Sequence, residues 1–268
     1  MSQSYSLYQV DAFADCVFTG NPAAVVPMET WPPDATLAAI AAENNLSETA
    51  FFIPLPDDSS GGSYHLRWFT PTFEIDLCGH ATLAAAFVLF TELGHQGKRI
   101  HFHTQSGDIF VERSGNQLAM DFPVWPAKSI TVSDAIAHAL GARPQEAYIS
   151  RDLFIVFPNE QTIRAMKPNP ALLLTLPYVC IICAAPSATP GVDYVCRVFS
   201  PEIGIMEDPV TGSAQCTQAP YWADRLGKTS LVCDQVSARG GRLLCEYQGD
   251  RVRISGGAAL YMRGTIYV

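Results

Sequence analysis

Two short stretches carry side chains with which this chain could do chemistry. Residues 206–215 read MEDPVTGSAQ and residues 75–83 read IDLCGHATL. The first sets two carboxylates, Glu207 and Asp208, and two hydroxyls, Thr211 and Ser213, around Gly212. The second sets Asp76, Cys78 and His80 around Gly79. In both, the glycine leads into a small-residue segment of helical length. The plain reading is a turn that caps a helix: Asp208-Pro209 favours a turn, and Thr211 or Ser213 offers an N-cap oxygen. The sharper reading is an anion site, because the first turn of a helix presents unpaired N–H groups and the positive end of its dipole. For one such stretch alone, caps are far commoner than sites, and the plain reading has the advantage.

A third candidate is Glu48 in NNLSETAFF. A carboxylate at the entrance to an apolar strand is partly desolvated, which favours its neutral form and suits proton transfer. The ordinary alternative, favoured by local sequence, is that Ser47 and Glu48 end the preceding helix and face water. Asp76, His80, Glu207 and Asp208 complete the acid–base set. Metals have weaker support. His101 and His103 share one face of a strand, and Cys180 and Cys183 have ligand-like spacing, but neither pair has a second pair nearby in sequence. No metal site is expected. The chain has no Gly-x-Gly-x-x-Gly after a first strand, no Gly-Lys-[Ser/Thr] loop and no Gly-x-Ser-x-Gly elbow, so the chemistry is expected to need no cofactor.

Composition limits the partners. The 268 residues are 48% hydrophobic and 16% charged, with a formal net charge of −9. That is a globular, acidic chain, poor in the cations that nucleic-acid backbones require, so no nucleic-acid partner is expected. ALLLTLPYVCIICAAP at 171–186 is shorter than a membrane span and is broken by Pro177. It reads as a helix end followed by a buried strand, with no membrane partner. The opening MSQSYSLYQVDAF has no basic start followed by an apolar run, so no secretory signal is expected and the cytoplasm is the expected compartment. The eight cysteines lack the regular spacing of a disulfide framework and are expected as free thiols, most of them small core residues.

These residues must be positioned by many short strands and a few helices. SYSLYQVDAF, AAVVPM, TAFFIPL, YHLRWFT, RIHFHT and GDIFVER read as strands, and PDATLAAIAAENN as a helix with Leu37, Ile40 and Ala41 on one face. The second half mixes helical SDAIAHALGA and NPALLLTL with extended AYISRDLFIVF, YVCIICA, YVCRVFS, RLLCEYQ, RVRISGGA and TIYV. The class is α+β. A repeat organises it: Arg-x-Phe-[Thr/Ser]-Pro occurs at Arg67–Pro71 and again at Arg197–Pro201, 130 positions later. Each copy runs on to its glycine and a helix, HATLAAAFVLFTELG or SAQCTQAPYWADRLG. Two similar domains are expected, 1–122 and 123–268, with the strand at about 259–268 returning to the first. If the two helix starts face one another, their amides can hold a small organic acid from opposite sides.

Together, VDAFADCVFTGNPAAVV, NNLSETAFF, LRWFTPTFEIDLCGHATLAAA, DYVCRVFSPEIGIMEDPVTGSAQ and ISGGAALYMRGTIYV resemble the PhzF-like family, named for a phenazine-biosynthesis isomerase. The matches run in order from residue 10 to the C-terminus. The resemblance implies the diaminopimelate-epimerase-like fold: two pseudo-symmetric domains, each a β-barrel-like sheet wrapped around a central helix, with the active site between them. It implies Glu48 as the proton shuttle, with His80, Asp208 and Ser213 orienting substrate or assisting transfer. It also implies a pocket formed by Asn21, Cys78, Gly79, Thr211 and Gly212, whose glycine amides take a carboxylate, with no cofactor and no metal.

Two departures bear on this. Related epimerases set a cysteine at each helix start, whereas here Cys78 precedes Gly79 but Thr211 precedes Gly212. Many family members have histidine after Gly-Ser-Ala, where this chain has Gln215. The expected activity is a cofactor-independent isomerisation that moves a proton, and with it a double bond or a stereocentre, on a small carboxylate-bearing metabolite. Alternatives are a thiol-assisted epimerase or racemase using Cys78, and a non-catalytic small-acid binding protein. A homodimer is the ordinary expectation for such an enzyme.

Overall fold

The repeated Arg-x-Phe motif is a clamp. In the computed structural model, which describes residues 3–56 and 62–268, Arg67 donates from Nε and Nη2 to the two oxygens of Glu74, each at 2.7 Å. Arg197 does the same to Glu207, at 2.7 and 2.8 Å. Each guanidinium also lies over the phenylalanine two residues on, 5.1 Å from its centroid in both cases. A planar fork on a carboxylate fixes direction as well as distance. The motif therefore ties a long strand to the short returning segment that leads into each helix.

The chain divides into two compact units, Met1–Asp121 with Ser255–Val268, and Phe122–Ile254. The first holds β1 (Ser4–Ala12), β2 (Asn21–Pro27), α1 (Asp34–Asn44), β3 (Thr49–Pro54), β4 (Ser63–Phe69), β5 (Glu74–Ile75), α2 (Gly79–Phe87), β6 (Arg99–Thr104), β7 (Gly107–Ser114) and most of β8 (Gln117–Pro123). The second holds β9 (Lys128–Ile130), α3 (Asp134–Leu140), β10 (Glu146–Ile149), β11 (Leu153–Val156), α4 (Glu160–Ala165), α5 (Pro170–Leu173), β12 (Ile181–Pro186), β13 (Tyr194–Ser200), β14 (Ile205–Asp208), α6 (Gln215–Leu226), β15 (Ser230–Gln235), β16 (Gly241–Tyr247) and most of β17 (Arg251–Gly256). The last strand, β18 (Ala258–Tyr267), pairs antiparallel with β1 in the first unit.

Pairing in the first unit runs β18-β1-β2-β3-β4-β6-β7, antiparallel except for the parallel pairs β2–β3 and β4–β6. Pairing in the second runs β9-β10-β11-β12-β13-β15-β16, antiparallel except for the parallel pairs β11–β12 and β13–β15. The order of senses is the same in both. Parallel neighbours need a crossover, and in each unit the second parallel pair is bridged by the helix that follows the clamp.

Both bridging helices are interior. Every residue of α2 from Gly79 to Ala86 is buried, as expected of a helix that is apolar all round. It is shorter than the segment suggested, because Val88–Glu92 continue as a π-helical turn. In α6, Pro220 stands inside the helix and has no N–H for the Cys216 carbonyl. That carbonyl instead accepts from Trp125 N at 3.0 Å, so the proline is accommodated without a lost hydrogen bond. α1 buries Leu37, Ile40 and Ala41 and stops at Asn45, which adopts a left-handed conformation (φ 49°). Fully buried Trp68 and Trp222 anchor the two cores, and replacing either by alanine would cost about 3–5 kcal/mol. All eight cysteines are free thiols, with only Cys16 exposed. The 171–186 segment is α5 followed by the buried β12, and among the described residues no helix is long and apolar enough to cross a membrane.

Gly20 links this scaffold to the site. It has φ +69°, and an added Cβ would lie 2.2 Å from the Ala12 carbonyl oxygen and 2.7 Å from the Ala14 Cβ. Gly20→Ala is therefore expected to lower the unfolding free energy by about 1–3 kcal/mol, through backbone strain and overpacking next to Asn21. Urea denaturation followed by fluorescence measures this, and an unchanged midpoint would contradict it.

Candidate functional site

The first unit gathers four of the singled-out side chains. Once Asn45 ends α1, the chain turns and enters β3, where Thr49, Ala50, Phe51 and Phe52 are all buried. The Glu48 carbonyl accepts from Ala24 N on β2 at 3.2 Å, which fixes its backbone against the sheet. The Glu48 side chain is drawn inside with the strand that follows and is only 5% exposed. The reading in which Glu48 ends a helix and faces water is thus overturned.

His80 is the second residue of α2 and is also 5% exposed. Its Nε2 lies 3.1 Å from Glu48 Oε2, an ion-pair distance, although the ring N–H is not aligned on that oxygen as a hydrogen bond. On the other side of the ring, Nδ1 lies 3.2 Å from Asn21 Nδ2 and 3.5 Å from Cys78 Sγ. Cys78 itself is extended at the N-cap position, and its carbonyl accepts from Thr82 N and from the Thr82 hydroxyl. Glu48, Cys78 and His80 could in principle ligate a metal. His80 turns Nδ1 to the thiol and Nε2 to the carboxylate, and so stands between them. The arrangement is a relay.

Electrostatics follow from burial. Burial alone pulls the His80 ring down, but the neighbouring Cys78 sulfur and Glu48 carboxylate outweigh it and hold the ring well above its ordinary value. Burial, with Glu48 adding to it, pushes the Cys78 thiol up against the opposing pull of His80. An imidazolium has no lone pair at Nδ1, so the charged ring calls for the Asn21 amide turned with Oδ1 toward it, whereas the neutral ring accepts from Nδ2. Asn21 can serve either form.

In the second unit the loop between β14 and α6 is internally tied. The Thr211 hydroxyl donates to Asp208 Oδ2 at 2.5 Å. The buried Gln235, at the end of β15, accepts from Thr211 N at 2.9 Å and donates to the Asp208 carbonyl at 2.6 Å and to the Thr211 hydroxyl at 3.2 Å. Helix α6 begins at Gln215, with Ala214 as N-cap and no side-chain cap. The expectation that Thr211 or Ser213 caps the helix is therefore incorrect: Thr211 is engaged with Asp208, while Gly212 and Ser213 form the turn whose carbonyls accept from Gln215 N and Cys216 N. Ser213 is half-buried and Gly212 buried.

Other candidates lie elsewhere. Asp76 is exposed, and its carbonyl accepts from the Ser106 hydroxyl. Glu207 belongs to the Arg197 clamp. Cys180 and Cys183 are buried thiols raised far above their ordinary value by desolvation. Gln215 has no exposure and accepts from the Tyr194 hydroxyl at 2.6 Å, so it is a polar residue of the unit's interior. Gln235 was missed by sequence reasoning. The available signal was a lone amide at a buried position of an alternating strand, SLVCDQ.

A family model described as phenazine biosynthesis-like protein (PhzC-PhzF) matches residues 10–264. A Pseudomonas aeruginosa protein described as an uncharacterized isomerase is 49% identical over 263 residues, covering 98% of this chain and 99% of that protein. The crystal structure of a PhzF-family phenazine biosynthesis protein from Enterococcus faecalis is similar throughout. It is 46% identical with a TM-score of 0.94, and the match covers 99% of this chain and 100% of that one. A hydroxyproline epimerase from Agrobacterium vitis, 10% identical with a TM-score of 0.61 over 99% of this chain and 93% of that one, shares the fold.

Because the folded-state value of His80 is raised above the ordinary 6.5, its protonated form stabilises the fold fully below about pH 6.5, and that contribution is lost as pH rises through the folded value. NMR titration of the ring is expected to show an imidazolium that persists above neutrality in wild type and a lower value in Glu48→Gln. The same value in both would remove Glu48 as a cause. Gln235→Leu leaves Thr211 N–H and the Asp208 carbonyl without their partner and is expected to cost about 1–3 kcal/mol in thermal or chemical unfolding.

Proposed function

This chain belongs to the phenazine biosynthesis-like family, and from that premise we propose that it is an isomerase that moves a proton between carbon positions of a small carboxylate-bearing metabolite, with Glu48 as general acid and base. The observation that carries the proposal is the buried Glu48–His80 contact at the start of α2. A desolvated carboxylate beside a cationic ring is a base held in one orientation, and acid–base catalysis depends on that geometry before it depends on acidity.

The step balances without a cofactor. A Glu48 oxygen takes a proton from carbon, the C–H electron pair moves into the adjoining unsaturated system, and the same oxygen returns the proton at another position of that system on the same face. His80, held by Asn21, stays beside the Glu48 carboxylate throughout and keeps it oriented. Gly79 and His80 occupy the first two helical positions, where N–H groups have no carbonyl one turn back in the helix. Those amides bind the substrate carboxylate. Thr211 holds Asp208 in place through its hydroxyl.

The thiol-based alternative has less support. Burial pushes the Cys78 thiol up, which disfavours the thiolate that an abstracting base would need.

The test uses a panel of small unsaturated and 2-amino carboxylic acids in D2O, with proton NMR following exchange at carbon. Wild type is expected to incorporate deuterium into at least one of them, and Glu48→Gln to do so on the order of 10²–10⁴ more slowly, with an unchanged circular dichroism spectrum. Equal incorporation by both proteins would overturn the role given to Glu48. Saturable binding of an acid that shows no exchange would support a binding protein instead.

A further inference from the structure

The pair of histidines that the reaction does not use gains a third ligand from the fold. Strand alternation puts His101 and His103 of β6 on one face. The tight connection to β7 then sets Asp108 directly opposite His103 and Phe110 opposite His101. Asp108 Oδ1 lies 2.9 Å from His103 Nδ1 and 3.3 Å from His101 Nε2. His101 Nε2 is shielded from solvent but is not aligned with the carboxylate as a hydrogen bond. These separations resemble those between ligands of one small ion: two donors bound tetrahedrally at about 2.0–2.1 Å stand about 3.3 Å apart.

The ligand rings are held in place. His101 stacks on Phe110, with centroids 4.4 Å apart and planes 24° apart, and the Arg99 guanidinium covers Phe110 at 3.7 Å. The two imidazoles lie against each other at 3.9 Å. His65, the register partner of His103 on β4, has its Nδ1 occupied by the Trp31 indole N–H at 3.1 Å. That leaves two imidazoles and one carboxylate, with side-chain exposures of 26%, 43% and 52%, so solvent can reach an ion and complete its coordination.

We propose that His101, His103 and Asp108 form a binding site for a divalent transition-metal ion of the zinc type at the β6–β7 hairpin, separate in its residues from the Glu48–His80 relay. Imidazole nitrogens with a carboxylate suit Zn2+, Ni2+, Co2+ and Cu2+ rather than Mg2+ or Ca2+. Three protein ligands with an accessible fourth position make an open site, and the bound ion ties β6 to β7 near their turn.

Titration of the metal-free full chain with Zn2+ by calorimetry tests the proposal. One equivalent is expected to bind, at least tenfold more weakly in His103→Gln and in Asp108→Asn, and with unchanged affinity in His138→Gln, which removes an exposed imidazole on α3. Absence of saturable Zn2+ binding, or equal affinity in all four proteins, would overturn the site. Co2+ added to the unaltered chain gives a reading that no variant's folding can disturb. Ligand-field absorption without a sulfur-to-cobalt charge-transfer band is expected, and such a band would assign the ion to cysteines instead. Deuterium exchange on carboxylic acids is expected to be the same in Asp108→Asn as in wild type, so failure of the metal site and failure of the isomerase reading are separable.

Discussion

Removing a carboxylate and an imidazole from water costs several kcal/mol for each ion, and their attraction offsets that only when the geometry is tightly held. Glu48 and His80, 3.1 Å apart and each 5% exposed, impose this requirement on the first unit. The carboxylate is fixed because β3 is buried from its first residue and because the Glu48 carbonyl is bonded to β2. The ring is fixed because it belongs to the first turn of a helix with no freedom to move, buried on every side. The Arg67–Glu74 clamp and the paired threonine bonds to the Cys78 carbonyl hold the segment that delivers that helix. A surface helix or a looser strand entry would let the two groups hydrate separately.

The second unit carries the same order of strand senses, the same clamp and the same helix-spanned parallel pair, yet its chemistry differs at matching places. Where β3 is preceded by Glu48, β12 is preceded by Cys180; where Cys78-Gly79-His80 open α2, Thr211-Gly212-Ser213 precede α6. An ionisable relay on one side thus corresponds to neutral or hydroxyl-bearing groups on the other. The clamp geometry is the same in both units despite these exchanges at the helix starts. The buried ionisable pair is thus concentrated in one copy, in keeping with the single-base reaction proposed above.

Much of this was legible in the sequence. The Arg-x-Phe repeat and the two glycine-led helices pointed to the duplicated α+β architecture, because a repeated contact pattern needs repeated residues. The α1 pattern of Leu37, Ile40 and Ala41 named its buried face correctly. Glu48 was visible as a candidate, but its burial was not, since local sequence favours a solvated helix end and only pairing between β2 and β3 draws it in. The tie made by Gln235 was invisible for a similar reason: it acts across 24 residues on Thr211, and a single amide in a strand carries no local mark. Thr211 and Ser213 looked like caps because hydroxyls at a helix start usually are. The loop gave Thr211 a carboxylate partner instead, and the helix began later. Asp108 escaped notice beside His101 and His103 because register, not spacing, brings it to them.

The pairing of β18 with β1 also orders events in time. All residues of the second unit's core, from Phe122 to Ile254, lie together in the chain, whereas β1 of the first unit finds its antiparallel partner only at Ala258–Tyr267. During translation the second half can therefore complete its sheet while β1, made first, still has an open edge. An unpaired edge is the feature of nascent chains most exposed to misassociation and to chaperones. Glu48 and His80 sit in the unit whose sheet closes last.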